Sequence, residues 1–209
     1  MKFQWLGLHQ NFESIFQLQK QSLDWPAHQE IVLGLEHSLV VTLGRRARLE
    51  EELLQLSLNS SSIPIVVTDR GGLATLHGPG QLIIYPLISL KLRNWGAREY
   101  VCHLLKITQQ CFKSLGLETS IDESQSGLFV GVNKICFIGL RISEGRSYHG
   151  LSLNVANDLR QFDRIRSCGQ NNRPMTSLLE QGIIKSSEDV FKIWTEIASK
   201  TTINNEKYQ

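Results

Sequence analysis

The sequence predicts an α+β domain in which helices pack against a mixed β-sheet. Three observations support this prediction. Short apolar runs are numerous, several of them are joined by tight turns, and helical periodicity is confined to a few separate segments. A doubly wound fold would instead alternate strands with helices along the chain. A length of 209 residues fits a single domain spanning 1–209, with a polar tail from about residue 200.

The first half of the chain contains one predicted helix and a series of short strands. Residues 11–23 carry Phe12, Ile15, Phe16 and Leu23 at helical spacing. A polar connection, predicted to be partly helical, covers residues 48–62. Strands are predicted over residues 30–37, 39–44, 63–68 and 81–90.

The second half begins with the clearest helix, 97–115, whose apolar positions recur at three- and four-residue steps before Gly116. A hairpin is expected over 127–142 with its turn at Gly131 to Asn133, followed by a strand over 149–155. Two further helices are expected after N-caps at Thr176 and at Ser186 or Ser187. The second should turn one apolar face inward: Val190, Ile193, Trp194 and Ile197. Residues 201–209 are expected to fray.

Composition excludes several classes of function. A net charge of +2 does not favour nucleic-acid binding, although a local basic patch would still suit an acidic protein partner. The N-terminus lacks the apolar core of a signal peptide, and no apolar run is long enough to span a bilayer, so a cytoplasmic protein without membrane segments is expected. Four cysteines without CxxC pairing and six histidines without HxxxH or HExxH spacing predict neither a disulfide framework nor a metal site.

The segment 69–81, "DRGGLATLHGPGQ", is unusually rich in glycine. It matches neither GxxxxGK[ST] nor GxGxxG, so a phosphate loop is not favoured. Glycines allow a ligand to approach the main chain closely, but the segment is equally consistent with a turn between core strands. Arg70 fits a surface ion pair and His77 fits a structural histidine, as well as a binding role.

Cys168 differs from the other three cysteines because it lies in a polar segment, beside Gly169 and basic neighbours. Cys102, Cys111 and Cys136 lie in apolar surroundings, where thiols are usually inert. Lys134 opens a strand after a tight turn; it is either a solvent-exposed lysine or a charge that supports a thiolate. An ammonium about 4 Å from the sulfur would contribute up to about 4 kcal/mol, enough to make the thiolate the dominant form near neutral pH.

Taken together, the motifs resemble the lipoyl(octanoyl) transferase family. RGG-x-x-T-x-HGPGQ is followed by K-I-x-x-x-G-x-R, HG-x-x-L-N-V and CG, in the order and spacing of that family. The matching segments run from about residue 30 to about residue 180. They are "EHSLVVTLG", "DRGGLATLHGPGQLIIYPL", "SGLFVGVNKICFIGLRI", "YHGLSLNV" and the "CG" of Cys168 and Gly169.

The resemblance implies a catalytic domain like that of biotin and lipoate protein ligases, and a two-step acyl transfer without a cofactor or metal. Cys168 would take the octanoyl group from octanoyl-acyl carrier protein as a thioester, and Lys134 would lower the pKa of that cysteine and move protons. The acceptors would be lipoyl domains of 2-oxoacid dehydrogenase E2 subunits and the H protein of glycine cleavage. The implied substrate-binding residues are Arg70, Gly71, Gly72, Leu73, Ala74, Thr75, Leu76, His77, Phe137, Ile138, Gly139, Gly150, Leu151 and Ser152.

Two positions depart from the family pattern. Ser167 stands where proline is common, and Ser152 stands where alanine is common. These departures concern rate and chain-length preference, because neither removes a reacting group. Two other functions stay open: an ATP-dependent lipoate or biotin ligase on the same scaffold, and a protein that binds acyl groups or lipoyl carriers without transfer. A variant of the transferase that moves octanoyl between carrier proteins also stays open.

Overall fold

The computed structural model describes residues 1–48, 63–122, 127–165 and 174–203. In chain order its strands and α-helices are β1 (Lys2–Trp5), α1 (Phe12–Gln21), β2 (Ile31–Leu35), β3 (Val40–Leu43), β4 (Ile65–Val67), β5 (Ala74–His77), β6 (Gln81–Leu87), α2 (Ala97–Ser114), β7 (Ser120–Asp122), β8 (Gly127–Val130), β9 (Asn133–Ser143), β10 (Arg146–Asn154) and α3 (Ser187–Ile203). Short 3-10 helices cover Ser22–Asp24, Lys91–Arg93 and Leu159–Arg164.

The strands form two sheets. The larger has seven strands in the order β1-β2-β6-β10-β9-β8-β7, and the smaller has three in the order β4-β3-β5. Strand pairs β1–β2 and β3–β4 are parallel, and the other pairs are antiparallel. This is the mixed sheet with packed helices that the sequence predicts.

The larger sheet is covered on both faces, as expected for strands such as β2 and β6 that are apolar at successive positions. Leu82 and Ile84 of β6 join the main core with α2 and α3. Ile83 and Tyr85 of the same strand point to the opposite face, where they pack with Ile15 of α1. A third, smaller core lies beneath the smaller sheet.

The helices form largely as their patterns indicate. Asn11 caps α1 by accepting a hydrogen bond from the Ser14 backbone N–H at 2.9 Å. Ser186 caps α3 in the same way through the Asp189 N–H at 3.1 Å. Trp194 of α3 is buried and donates its indole N–H to Thr108 Oγ1 of α2 at 3.0 Å. The predicted apolar face of α3 does pack into the main core.

Several local predictions were wrong. No helix follows Thr176, because residues 178–182 form consecutive turns, in which the Leu179 carbonyl accepts from the Gly182 N–H. Part of the glycine-rich segment is a strand, β5, since it finds a distant partner in β3. Residues 201–203 belong to α3, whereas residues 49–62 of the predicted polar connection and 204–209 of the tail lie outside the described residues. In the described part of the chain, no helix is long and apolar enough to cross a membrane.

Candidate active site

A cavity of about 710 Å³ opens between the glycine-rich segment, β6, β9 and β10. Its lining combines apolar side chains with cationic ones. Among the described residues, no aspartate or glutamate lines it. The lining residues are Phe12, Arg45, Arg46, Arg70, Gly71, Gly72, Leu73, Ala74, Thr75, His77, Ile83, Tyr85, Ala97, Val101, Lys134, Phe137, Ile138, Gly139, Leu140, Arg141, Ile142, His149, Gly150, Leu151 and Ser152.

Arg70 fixes the shape of the glycine-rich segment from within. Its guanidinium is buried and donates to the backbone carbonyls of Thr42 (2.7 Å), Gly71 (3.0 Å) and Leu73 (2.8 Å). The interpretation of Arg70 as a surface residue is therefore wrong. Because charge-assisted hydrogen bonds are stronger than neutral ones, this one side chain holds the loop against β3.

Two positions at the cavity wall are accessible only to glycine, one because of its backbone angle and one because another strand lies too close for a side chain. Gly72 has φ of +92°, a conformation that an L-residue with a side chain rarely adopts. A Cβ on Gly150 would lie 2.0 Å from the Ile84 carbonyl oxygen. Gly150 therefore allows β10 to approach β6 closely.

A chain of buried amides, which we call the amide relay, connects His77 to the backbone next to Lys134. It consists of His77, Gln81, Asn154 and Thr176. His77 Nδ1 lies 2.7 Å from Gln81 Oε1, Gln81 Nε2 donates to Asn154 Oδ1 at 3.0 Å, and Asn154 Nδ2 donates to the Thr176 carbonyl at 3.0 Å. The Thr176 N–H in turn donates to the Lys134 carbonyl at 3.0 Å.

The amide relay determines which His77 nitrogen carries the proton. A backbone carbonyl can only accept, so Asn154 must donate to it, and each following amide is oriented in turn. His77 Nδ1 is therefore the donor, and Nε2 keeps its lone pair. Burial lowers the pKa of His77 to about 3, which keeps the ring neutral at physiological pH.

Lys134 is among the most deeply buried residues, with 1% of its surface exposed. Its interpretation as a solvent-exposed lysine is therefore wrong. Its Nζ lies 4.8 Å from the ring centroid of Phe137 and 5.5 Å from that of Phe129, within the range of cation–π attraction. Its backbone N–H donates to the Pro174 carbonyl at 3.1 Å, and its carbonyl accepts from the Thr176 N–H. Both backbone groups of Lys134 are therefore hydrogen-bonded to the residues that follow 166–173 in the chain.

A second polar group, the Asp69 cluster, lies beside the cavity and contains Lys20, Asp69, Tyr148 and His149. Asp69 accepts from Lys20 Nζ at 2.7 Å, from His149 Nε2 at 3.0 Å and from the Tyr148 hydroxyl. The charged and hydroxyl partners hold the pKa of Asp69 below its ordinary value although burial opposes this. The Asp69 cluster therefore joins α1, the start of the glycine-rich segment and β10.

His149 has an unusual backbone conformation for a strand residue, with φ of +56°. This conformation allows the side chains of both His149 and Tyr148 to hydrogen-bond the carboxylate of Asp69. The His149 N–H donates to Gln19 Oε1 at 2.7 Å, and its ring stacks on Phe16. Burial lowers the pKa of His149 to about 4, although Asp69 opposes the shift.

Two of the described cysteines have the properties of inert thiols. Burial raises the pKa of Cys111 and of Cys136 to about 12, and both are inaccessible to solvent. Cys102 on α2 is half-buried. The predicted nucleophile, Cys168, lies outside the described residues, as do Ser167 and Gly169.

The structure brings most of the predicted site residues together around the cavity. Lys134 and every described residue of the predicted binding set line it except Leu76. Leu76 points to the other side of β5 and packs in the small core. The sequence interpretation missed Phe12, Tyr85, Arg141 and His149, although the motifs "LRI" and "YHG" already contained two of them. Among the described residues, no group of three or more potential metal ligands is clustered.

Comparison with known proteins gives a consistent result. The model of the lipoyl protein ligase A/B catalytic domain matches residues 11–195. An octanoyltransferase from Magnetococcus marinus is 39% identical over 168 residues, which cover 80% of this chain and 76% of the relative. An octanoyltransferase from Vibrio atlanticus is 33% identical over 183 residues, covering 87% and 81%.

Solved structures agree on the fold. A lipoate-protein ligase A bound with ATP superposes with a TM-score of 0.79 at 16% identity, covering 97% of this chain and 86% of the ligase. A biotin protein ligase from Aquifex aeolicus gives a TM-score of 0.58 at 12% identity, covering 99% and 71%. At identities this low, structural similarity is evidence for the fold alone. The two superpositions confirm the predicted ligase-like architecture.

Proposed function

The chain belongs to the lipoyl protein ligase A/B catalytic domain family, and its relatives named octanoyltransferase agree with the transferase motifs. We propose that it is an octanoyltransferase that supplies the octanoyl group for protein lipoylation. Relatives named octanoyltransferase are similar over most of the chain, with the match to Magnetococcus marinus spanning 80% of it. The finer proposal is that the donor is octanoyl-acyl carrier protein. We propose lipoyl domains as acceptors, those of 2-oxoacid dehydrogenase E2 subunits and the glycine cleavage H protein.

The reaction proceeds in two balanced steps. The Cys168 thiolate attacks the carbonyl carbon of the donor thioester, and the carrier's sulfur leaves as a thiol by taking a proton from the Lys134 ammonium. The acceptor lysine, as a neutral amine, then attacks the cysteine thioester; an amide forms, and the Cys168 sulfur leaves. The amine proton passes to the neutral Lys134 amine, which restores the ammonium beside the Cys168 thiolate. Neither step uses ATP, because a thioester is already an activated acyl group.

The observation that carries this proposal is the buried lysine in the cavity wall. Lys134 is 1% exposed and lines the cavity, where its ammonium can stabilise an anion held close to it. Its backbone is bonded to Pro174 and Thr176, immediately after the segment that carries Cys168. This connection supports a Lys134–Cys168 pair, in which the ammonium stabilises the thiolate.

A transfer assay separates this function from that of an ATP-dependent ligase. The chain is mixed with a lipoyl domain and either octanoyl-acyl carrier protein alone or octanoate with MgATP. We expect octanoylation from the carrier protein alone. Octanoylation only from octanoate with MgATP would identify a ligase, and no octanoylation from either source would favour a protein that binds without transfer.

The identity of the donor is tested in the same assay. Octanoylated H protein replaces octanoyl-acyl carrier protein while the acceptor lipoyl domain is kept. We expect the acyl carrier protein to be the better donor. A preference for octanoylated H protein would instead identify an enzyme that moves octanoyl between lipoyl carriers.

A further inference from the structure

Three arginines at the cavity have guanidinium groups without an anionic partner in the described part of the chain: Arg45, Arg46 and Arg141. Within residues 1–48, 63–122, 127–165 and 174–203, no ion pair or side-chain hydrogen bond involves these guanidiniums. The Nε of Arg141 is buried, and no described residue accepts a hydrogen bond from it. A buried N–H donor without an acceptor lowers the stability of the folded protein, and a ligand that supplies the acceptor removes this penalty.

Several other arginines of this protein are engaged by protein groups. Arg93 pairs with Glu30 at 2.6 Å, and Arg160 pairs with Asp158 at 2.8 Å. Arg146, which charge alone makes a candidate for meeting an acidic carrier, is instead buried, and its guanidinium binds backbone carbonyls, that of Pro26 at 2.8 Å.

Backbone hydrogen bonds bring the three arginines to one rim of the cavity. The Arg45 N–H donates to the Arg70 carbonyl at 3.1 Å, and the Arg46 N–H donates to the Gly72 carbonyl at 3.2 Å. Between them, the Gly71 N–H donates to the Leu140 carbonyl at 3.0 Å, directly before Arg141. The segment after β3 therefore lies along one side of the glycine-rich segment, and strand β9 lies along its other side.

The cavity thus combines an apolar interior with a cationic rim. Ile83, Phe137 and Leu151 supply apolar surface, and no carboxylate of the described lining residues neutralises the arginines. Guanidinium groups bind phosphate oxygens in a bidentate manner and keep their charge at any physiological pH. The arrangement fits a ligand with an apolar chain at one end and a phosphate ester at the other.

We propose that Arg45, Arg46 and Arg141 form a binding site for the phosphodiester of the phosphopantetheine arm that presents the octanoyl thioester. This inference rests on the proposed octanoyl transfer from an acyl carrier protein. The phosphodiester is the group of the donor arm that carries a negative charge, and it lies on the same chain as the thioester. Binding it at the rim would direct the acyl group into the cavity before carrier-protein contacts are complete.

The test compares two small donors that differ only in the phosphate: octanoyl-phosphopantetheine and octanoyl-pantetheine. With a lipoyl domain as acceptor, we expect kcat/KM to be at least about 10-fold higher for the phosphorylated donor. The triple variant Arg45→Gln, Arg46→Gln, Arg141→Gln should bring the ratio close to one, mainly through a higher KM. Arg160→Gln, an exposed arginine outside the cavity, is the matched control and should keep the wild-type ratio.

A binding measurement separates failure of this site from failure of the proposed function. Calorimetry with unacylated phosphopantetheine requires no transfer; we expect binding to the wild type and its loss in the triple variant. Equal kcat/KM for the two donors, or a triple variant that keeps the preference, would overturn the proposal. So would AMP, titrated into the same proteins, if it bound to the rim while phosphopantetheine did not, because the site would then serve a nucleotide phosphate.

Discussion

The amide relay and the Asp69 cluster flank the same cavity but are built from opposite chemistry. The amide relay is neutral and buried, and each of its hydrogen bonds determines the direction of the next. The Asp69 cluster is charged, and Lys20 and Asp69 keep 39% and 31% of their side chains exposed. A buried neutral network fixes the positions of protons, whereas a partly exposed ionic cluster mainly fixes the positions of chain segments.

The largest expected effect comes from removing the side-chain amine of Lys134, whose backbone carbonyl accepts a hydrogen bond from Thr176 at the end of the amide relay. Lys134→Met keeps a side chain of similar length between Phe129 and Phe137, so we expect little loss of folding stability. The rate of octanoyl transfer should fall by about 10²- to 10³-fold, as is usual when an acid–base group is lost. Single-turnover kinetics and urea unfolding of the same sample separate the two effects. A variant that unfolds readily would show instead that Lys134 is structural.

Breaking the amide relay in its middle should destabilise the fold. Asn154→Ala removes the partners of Gln81 Nε2 and of the Thr176 carbonyl while both stay buried. Leaving two buried polar groups unsatisfied costs about 2–6 kcal/mol of unfolding free energy, at about 1–3 kcal/mol for each group. Urea denaturation measures this loss. Asn157→Ala, which loses one bond to Asn154 at 3.2 Å, is the control and should cost less than about 1 kcal/mol.

The two networks also make stability depend on pH through their histidines. The pKa of His149 in the folded state is about 4, below the ordinary value of 6.5, so the unfolded chain binds the proton first. The stability associated with neutral His149 is complete above pH 6.5 and is lost as the pH falls from 6.5 to 4. His149→Gln should reduce the slope of unfolding free energy against pH by about 1.4 kcal/mol per pH unit between pH 5.5 and 4.5.

Measuring that slope requires unfolding curves at several pH values for the wild type and for two variants. His28→Gln replaces an exposed histidine and should leave the slope as in the wild type. An unchanged slope in His149→Gln would mean that His149 is already protonated beside Asp69.

The smallest effect is expected from repeating the lysine-to-methionine change in the Asp69 cluster. Lys20→Met removes an ion pair whose side chains are both partly exposed, and such pairs contribute about 0–1 kcal/mol. We expect a small loss of stability, weaker at high salt, and a transfer rate within about 2-fold of the wild type. A rate loss as large as that of Lys134→Met would remove the distinction between the two networks.

The sequence was sufficient for features that depend on local periodicity. The apolar positions of α2 and α3, the cap at Ser186 and the turn before Asn133 follow from residues within a few positions of each other. Strand β5 was not predictable in this way, because Ala74–His77 becomes a strand only by pairing with β3 more than thirty residues earlier. Glycine-rich composition indicated a loop, and a long-range partner made it a strand.

Which residues form the site was predictable from the sequence, but their burial and their contacts were not. The order of the motifs identified Lys134 and the cavity wall around Arg70. The neighbouring residues in the sequence nevertheless suggested that Lys134 and Arg70 are exposed to solvent. Each is buried because distant groups cover or bind it: Phe129 and Phe137 flank the lysine, and the Thr42 carbonyl accepts from the arginine. The amide relay was not predictable because two of its hydrogen-bonded members, Gln81 and Asn154, are 73 residues apart in the chain.

The proposed mechanism requires this chain to carry the octanoyl group on Cys168 as a thioester. Intact-mass spectrometry after incubation with octanoyl-acyl carrier protein, without ATP and without acceptor, tests it most directly. We predict a wild-type mass increased by one octanoyl group, lost on adding a lipoyl domain, and no increase for Cys168→Ala. A wild-type protein of unchanged mass that still octanoylates the lipoyl domain, or an adduct that persists in Cys168→Ala, would contradict the account.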